Sequence, residues 1–246
     1  MSNERRRRHQ QPAQPLSATL LISLALLACC CAFLIYSGLR MLPASINYFQ
    51  AGLFLKDWDK HKQQPSAKAW EIAHTAAQKA VDLYPTTHGR YYSQLGYVLQ
   101  WHDFTKPYGD PSAQQTRTAA LEAHRHAVQG RPTWPFAYLD VAWSKLALHE
   151  FDQEFTDALA NAARYGHSRV GVNRSIAEIG LFAWPYISAE QRQVTLQAVH
   201  RTVSLSPREG LVLSRAATHM GLLKELCQAA PQPLWGSHKV CVNQDI

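Results

Sequence analysis

Charge is the first thing the sequence is short of. Charged side chains make up 17% of the 246 residues, against 46% hydrophobic. Arg5, Arg6, Arg7 and Arg8, set against Glu4, supply +3 of the formal +7, and the remaining +4 is spread over the rest of the chain. Charge that diffuse excludes nucleic-acid binding, which needs a clustered basic face. Catalytic signatures are missing as well. There is no GxSxG elbow, no Walker loop and no dinucleotide fingerprint. His124 and His126 lie two apart, on different sides of a helix, and His149-Glu150 lacks the second histidine four residues later that a zinc-protease helix needs. No metal, cofactor or catalytic residue is expected. Cysteine is scarce too: of five, Cys29, Cys30 and Cys31 fall in an apolar run, which leaves Cys227 and Cys241.

What the sequence does contain is helical periodicity. Residues 16–39 run without a charge or a proline, and about 20 apolar residues suffice to cross a bilayer as a helix. The run is longer than the apolar core of a cleavable signal peptide and continues through Phe33, Leu34, Ile35 and Tyr36. Leu26-Leu27-Ala28-Cys29 resembles a lipobox, so a lipidated Cys29 stays open as an alternative. More apolar sequence follows that cysteine, where a lipoprotein would carry a polar tether. Four arginines precede the span and only Arg40 closely follows it, so the positive-inside rule leaves the N-terminus in the cytoplasm and the remaining domain outside it. Residues 1–15 read as a disordered basic tail. Residues 40–65 read as a juxtamembrane helix or linker, with a charged break over 56–64.

From Ser66 onward, apolar residues at i, i+3, i+4 and i+7 predict helices separated by short Gly, Pro, His or Ser breaks. Helices joined so tightly pack as antiparallel neighbours. Ala73, Ala77 and Ala80 before Pro85 match the second helix of a tetratricopeptide repeat. Tyr92, Leu95, Gly96 and Leu99 match the first. The second-helix pattern recurs at Ala120, Ala127 and Pro132, and the first at Ile176, Ile179, Gly180 and Ala183. The expected fold is therefore all-α: one transmembrane helix, then a tetratricopeptide-like helical-repeat solenoid over 66–226 and an irregular tail over 227–246. The loop between Trp101 and Thr116 interrupts the repeat, with Asp110 or Ser112 expected to cap the next helix and Ser112 and Gln115 to form a capping box. Loops of that length tend to be functional or mobile. A last helix is expected over 208–226.

Two groups of residues carry the functional reading. Glu150, Asp152 and Glu154 could form an acid/base pair, yet they open a helix whose dipole favours carboxylates there. In the repeat register the residues facing the concave groove are Arg90, Tyr97, Trp143, Arg174 and Trp184. Arginine and aromatic side chains together suit a peptide partner or the stacking of sugar rings with charged substituents. In an oxidising compartment Cys227 and Cys241 are expected to pair.

The segment Arg131-Pro132-Thr133-Trp134-Pro135-Phe136-Ala137-Tyr138, continued by Leu139-Asp140-Val141-Ala142, resembles the VpsP family of exopolysaccharide-biosynthesis proteins. Gly180-Leu181-Phe182-Ala183-Trp184, with Ser188 opening the next helix, is similar too. The resemblance covers roughly residues 119–203. It implies a single-pass bacterial inner-membrane protein with a periplasmic domain, and no catalytic residue to carry over. The expected role is a non-enzymatic scaffold that recruits or couples polysaccharide polymerisation and export. Its partners would be membrane-embedded polymerase and export proteins, with the polysaccharide itself a second candidate. A polysaccharide-modifying enzyme and a general envelope-assembly factor are the alternatives.

Overall fold

A computed structural model describes residues 17–242, so the basic tail at 1–15, with Arg5 to Arg8, and the first residue of the apolar run lie outside the described residues. Among the described residues every regular element is helical, and ten α-helices follow one another. The first, α1, spans Ala18–His61. Ser17 caps it, and at 1.5 Å per residue its 44 residues reach about 66 Å. That is about twice the thickness of a bilayer's hydrocarbon core. Its first half is long and apolar enough to cross a membrane, and that window is entirely unburied. Pro43 sits inside the helix without ending it. The Asn47 side chain donates to the Pro43 carbonyl at 2.8 Å, while the carbonyl that loses its helical donor to the proline is that of Leu39, one turn earlier.

The charged break expected over 56–64 does not stop the helix until His61, with Lys62 left-handed behind it. The reason is burial on one face. Ala44, Ala51 and Trp58, seven residues apart, are all buried. They face α2 (Ala67–Leu83) and α3 (Gly89–His102), and join two small cores with Ala73, Ala77, Ala80, Tyr91 and Leu95.

The chain then continues as α4 (Gln114–Gly130), α5 (Pro135–Leu148), α6 (Gln153–Gly166), α7 (Val170–Phe182) and α8 (Ala189–Leu205). Each packs on its predecessor, and α3, α5, α7 and the later helix α9 (Pro207–His219) also touch in that order. Local chemistry places the ends. Ser66 caps α2, Asp152 caps α6, and Ser188 forms a reciprocal capping box with Gln191 at the start of α8. Close approach of paired helices depends on missing side chains. A Cβ on Gly96 would lie 2.1 Å from His124 Nε2, and one on Gly180 would lie 2.0 Å from Thr195 Oγ1.

Several expectations need correcting. No capping box forms at Ser112 and Gln115. Asp110 instead accepts from the Ser112 amide at 2.8 Å, capping a short 3₁₀ turn, Pro111–Ala113, ahead of α4. The loop before it is pinned. Buried Arg117 donates to the carbonyls of Lys106, Pro107 and Ala147, and buried Asp103 pairs with Lys106. The last helix is two. Gly221, at φ +71°, separates α9 (Pro207–His219) from α10 (Leu223–Ala229). Nor is the stretch after 227 peripheral. Trp235, in a 3₁₀ turn at Gln232–Trp235, is fully buried against Gly210 and Val203, and its indole donates to the Ala230 carbonyl. A disulfide joins Cys227 to Cys241 and holds the segment there.

Candidate functional site

The five residues expected to line one groove do not meet. Arg174 donates to Glu209 at 2.7 Å, an ion pair between α7 and α9. Trp184 packs under Arg192, and Trp143 packs towards Phe182. Among the described residues Arg90 and Tyr97, both on α3, line one cavity together.

That cavity, about 220 Å³, lies between α1, α3 and the start of α5. Tyr48, Gln94, Tyr97, Arg131, Trp134 and Asp140 are among its walls. Arg90, Arg131 and Trp134 also line a neighbouring hollow of about 550 Å³ beside His88. The floor is polar. Asp140 is buried and accepts from Tyr97 Oη at 2.5 Å and from Ser93 Oγ at 3.1 Å. Burial pushes its carboxyl up to about 7, against the pull of those two hydrogen bonds and of the Arg131 charge. Behind it His124, fully buried, shares a hydrogen bond with Ser144 at 2.8 Å. Burial holds that imidazole down, at about 4, although the carbonyls of Ser93 and Asp140 favour its proton.

The rim is cationic. Arg131 stacks on the Trp134 ring with its guanidinium carbon 4.1 Å from the ring centre, and Arg169 sits 5.2 Å from the same ring. None of the ion pairs among the described residues involves Arg90, Arg131 or Arg169. Their effect is felt nonetheless: burial, then the charges of Arg90 and Arg131, push the His88 imidazole below its ordinary pKa. Helix ends reinforce the sign. His88, Trp134 and Arg169 stand at the N-caps of α3, α5 and α7, and none donates a side-chain cap. Arginine at the positive end of a helix opposes the macrodipole, by about 0.3–1 kcal/mol for an exposed charge. Arg90 and Arg169 stand at such ends, whereas Arg131 is the C-cap of α4, where the dipole favours a cation.

The carboxylates of residues 150–154 are arranged otherwise. Lys145, buried at the end of α5, reaches Glu150 at 2.7 Å, Asp152 at 2.6 Å and Glu154 at 3.2 Å. Glu154 also pairs with Arg125. Asp152 caps α6 by accepting from the Phe155 amide at 3.1 Å. All three acids are engaged by cations, which leaves no free pair for acid/base chemistry. A further cavity, about 570 Å³, opens between α6 and α8. Of its polar groups, Asp152, Ser188 and Gln191 are committed to helix caps, and Gln153, Thr156 and Glu190 line it as well. Among the described residues no group of histidine, cysteine and acid side chains is placed to hold a metal.

Compared with known proteins, the chain matches no family model and no curated sequence.

Proposed function

We propose that the protein is a membrane-anchored helical-repeat scaffold that couples membrane-embedded components of exopolysaccharide assembly. The observation that carries this reading is the outer face of α1. Beyond the apolar span the helix buries one face in the domain, yet Leu42, Ile46, Phe49 and Leu53 stay 53–66% exposed on the other. Their spacing of four, three and four residues continues Ile35 and Leu39 of the span in one stripe. A seven-residue apolar period is the seam that a second helix fills. A partner helix rising from the same membrane would lie along that seam without bending. Large apolar side chains left in line on a surface mark an interaction site.

The repeat reading draws support from paired helices whose alternate members also touch, and from Gly96 and Gly180 at matching first-helix positions. The polysaccharide assignment rests on the resemblance of residues 131–142, the segment that supplies Arg131, Trp134 and Asp140 to the cavity. An N-terminus in the cytoplasm and a domain in the periplasm follow from the arginines before the span.

The test is a doubly charged variant, Phe49→Glu with Leu53→Glu. Both side chains are exposed, so folding should be untouched. Detergent pull-downs of the full chain, read by mass spectrometry, should lose their membrane-protein partners, and exopolysaccharide output should fall at normal protein level. Unchanged partners and unchanged output would overturn the scaffold reading.

A further inference from the structure

Arg90, Arg131 and Arg169 form a concentration of positive charge that the fold itself does not neutralise. Where other arginines pack between helices they meet acceptors: Arg117 three carbonyls, Arg125 two glutamates, Arg174 Glu209. At the cavity rim an aromatic ring takes the place of a carboxylate. Stacking on Trp134 fixes the plane of the Arg131 guanidinium through its face and leaves the N–H groups along its edge without a protein partner. Those edges present paired donors, the geometry that matches two oxygens of one anion. Asp140, the nearest acid, is buried and already held by Tyr97 and Ser93, so it does not fill the role.

The second observation is an acceptor. Gln94 is 7% exposed, lines the cavity, and its Oε1 has no hydrogen-bond partner. A buried carbonyl oxygen left unpaired costs about 1–3 kcal/mol, which a donor reaching it from the cavity would recover. The site therefore offers donors for an anion and, deeper, an acceptor for a neutral O–H or N–H. Tyr48, Trp134 and Phe136 supply apolar walls between the two. A group that carries a carboxylate at one edge and hydroxyls at another fits this layout.

We propose that the cavity binds a uronate, an acidic sugar residue of a polymer, with Arg90 and Arg131 donating to its carboxylate and Gln94 accepting from a ring hydroxyl. The choice of a sugar rests on the exopolysaccharide reading above; the anion and the acceptor do not. Tyr48 and Leu55 of α1 belong to the same wall, so a bound sugar would touch the continuation of the membrane helix itself.

The experiment is calorimetric titration of the full chain in detergent micelles with four probes: trigalacturonate, neutral maltotriose, a triglutamate peptide and inorganic phosphate. Trigalacturonate should bind, and maltotriose should not. Arg90→Gln and Arg131→Gln should each weaken trigalacturonate at least tenfold, whereas Arg201→Gln, an exposed arginine on α8, should leave it unchanged. Because the Arg131 side chain packs against Gly89, Arg90→Gln is the decisive variant; Arg90 is exposed and its loss leaves the core alone. Equal binding of triglutamate or phosphate, binding insensitive to Arg90→Gln, or no binding of trigalacturonate would each overturn the proposal. A chain that binds trigalacturonate yet leaves polymer output unaffected when deleted would defeat the scaffold reading and spare this one. A chain required for output that binds no uronate would do the reverse.

Discussion

The two ends of α5 handle charge by opposite rules. At its C-terminal end Lys145 is buried under three carboxylates, and Arg125 closes the cluster from α4. The cation stands where the helix dipole favours it, and the acids stand at the start of α6, where the dipole favours them. Near its N-terminal end Arg90 and Arg169 oppose the dipoles of α3 and α7, while Arg131 caps the C-terminus of α4, where the dipole favours a cation. Arg131 and Arg169 are held by an indole ring and Arg90 by nothing ionic, beside a buried acid engaged elsewhere. The first end is complete without a ligand. The second keeps three cations without an acid partner among the described residues. Sites that keep a locally unfavourable arrangement are where function is expected.

The sharpest way to break the comparison is to remove Lys145. Lys145→Met keeps most of the volume but leaves three acids facing one another, and should cost about 2–4 kcal/mol of unfolding free energy. The figure sits below that for a fully buried pair because the acids themselves are partly exposed. Urea unfolding of the domain would measure it, and a loss under about 1 kcal/mol would mean that the cluster is not structural.

Next comes Gly96→Ala, which drives a methyl into His124 beneath the open end. Overpacking of this kind costs about 1–3 kcal/mol, although alanine is the better helix former by about 1 kcal/mol. Net destabilisation with a shift in the titration of His124 is expected; a more stable variant would show that the helices can move apart.

The third test separates the buried acid from the buried base by pH. The Asp140 pKa is raised in the folded state, to about 7, so the stability it contributes is fully present below the usual carboxylate range and is lost as pH rises towards 7. His124 is depressed to about 4, so its contribution is present above the ordinary histidine range and lost as pH falls through 4. Between about pH 4 and 7 the two oppose each other. Asp140→Asn should therefore leave melting temperatures that climb with pH across that window, and His124→Asn should leave them falling. Parallel curves for wild type and both variants would remove the coupled reading.

The smallest effects come from a crossed pair. Arg174→Gln breaks a half-exposed ion pair and should lower stability by up to about 1 kcal/mol while leaving uronate binding intact. Arg90→Gln should change stability by less than about 0.5 kcal/mol and weaken uronate binding at least tenfold. Thermal melts and titrations on the same two proteins would show whether the two arginines divide as their environments do.

Much of the helical outline was legible because it is local. Ser66 and Ser188 cap helices from the residues beside them, Pro85 and Gly166 stop them, and the small residues Ala73, Ala77 and Gly96 show where helices approach. The length and apolarity of the first helix were likewise written in consecutive residues. Its continuation to His61 was not, because only burial of Ala51 and Trp58 against other helices outweighs the charged residues beside them. Nor was the place of Trp235 legible, since the space it fills is made by Gly210, 25 residues earlier.

The site divides in the same way. Sequence alone marked arginine and aromatic residues as candidates, Arg90 and Tyr97 among them. It could not separate them from Arg174, whose partner Glu209 lies 35 residues further on in another helix. It flagged the acids at 150–154 without the lysine that neutralises them across a turn. Whether a charge is paired depends on which side chain the fold brings within about 4 Å, and Coulomb energy at that range is set by the neighbour and its burial. Periodicity along the chain carries the faces of helices. Only the tertiary structure decided which cations at those faces were left without an acid.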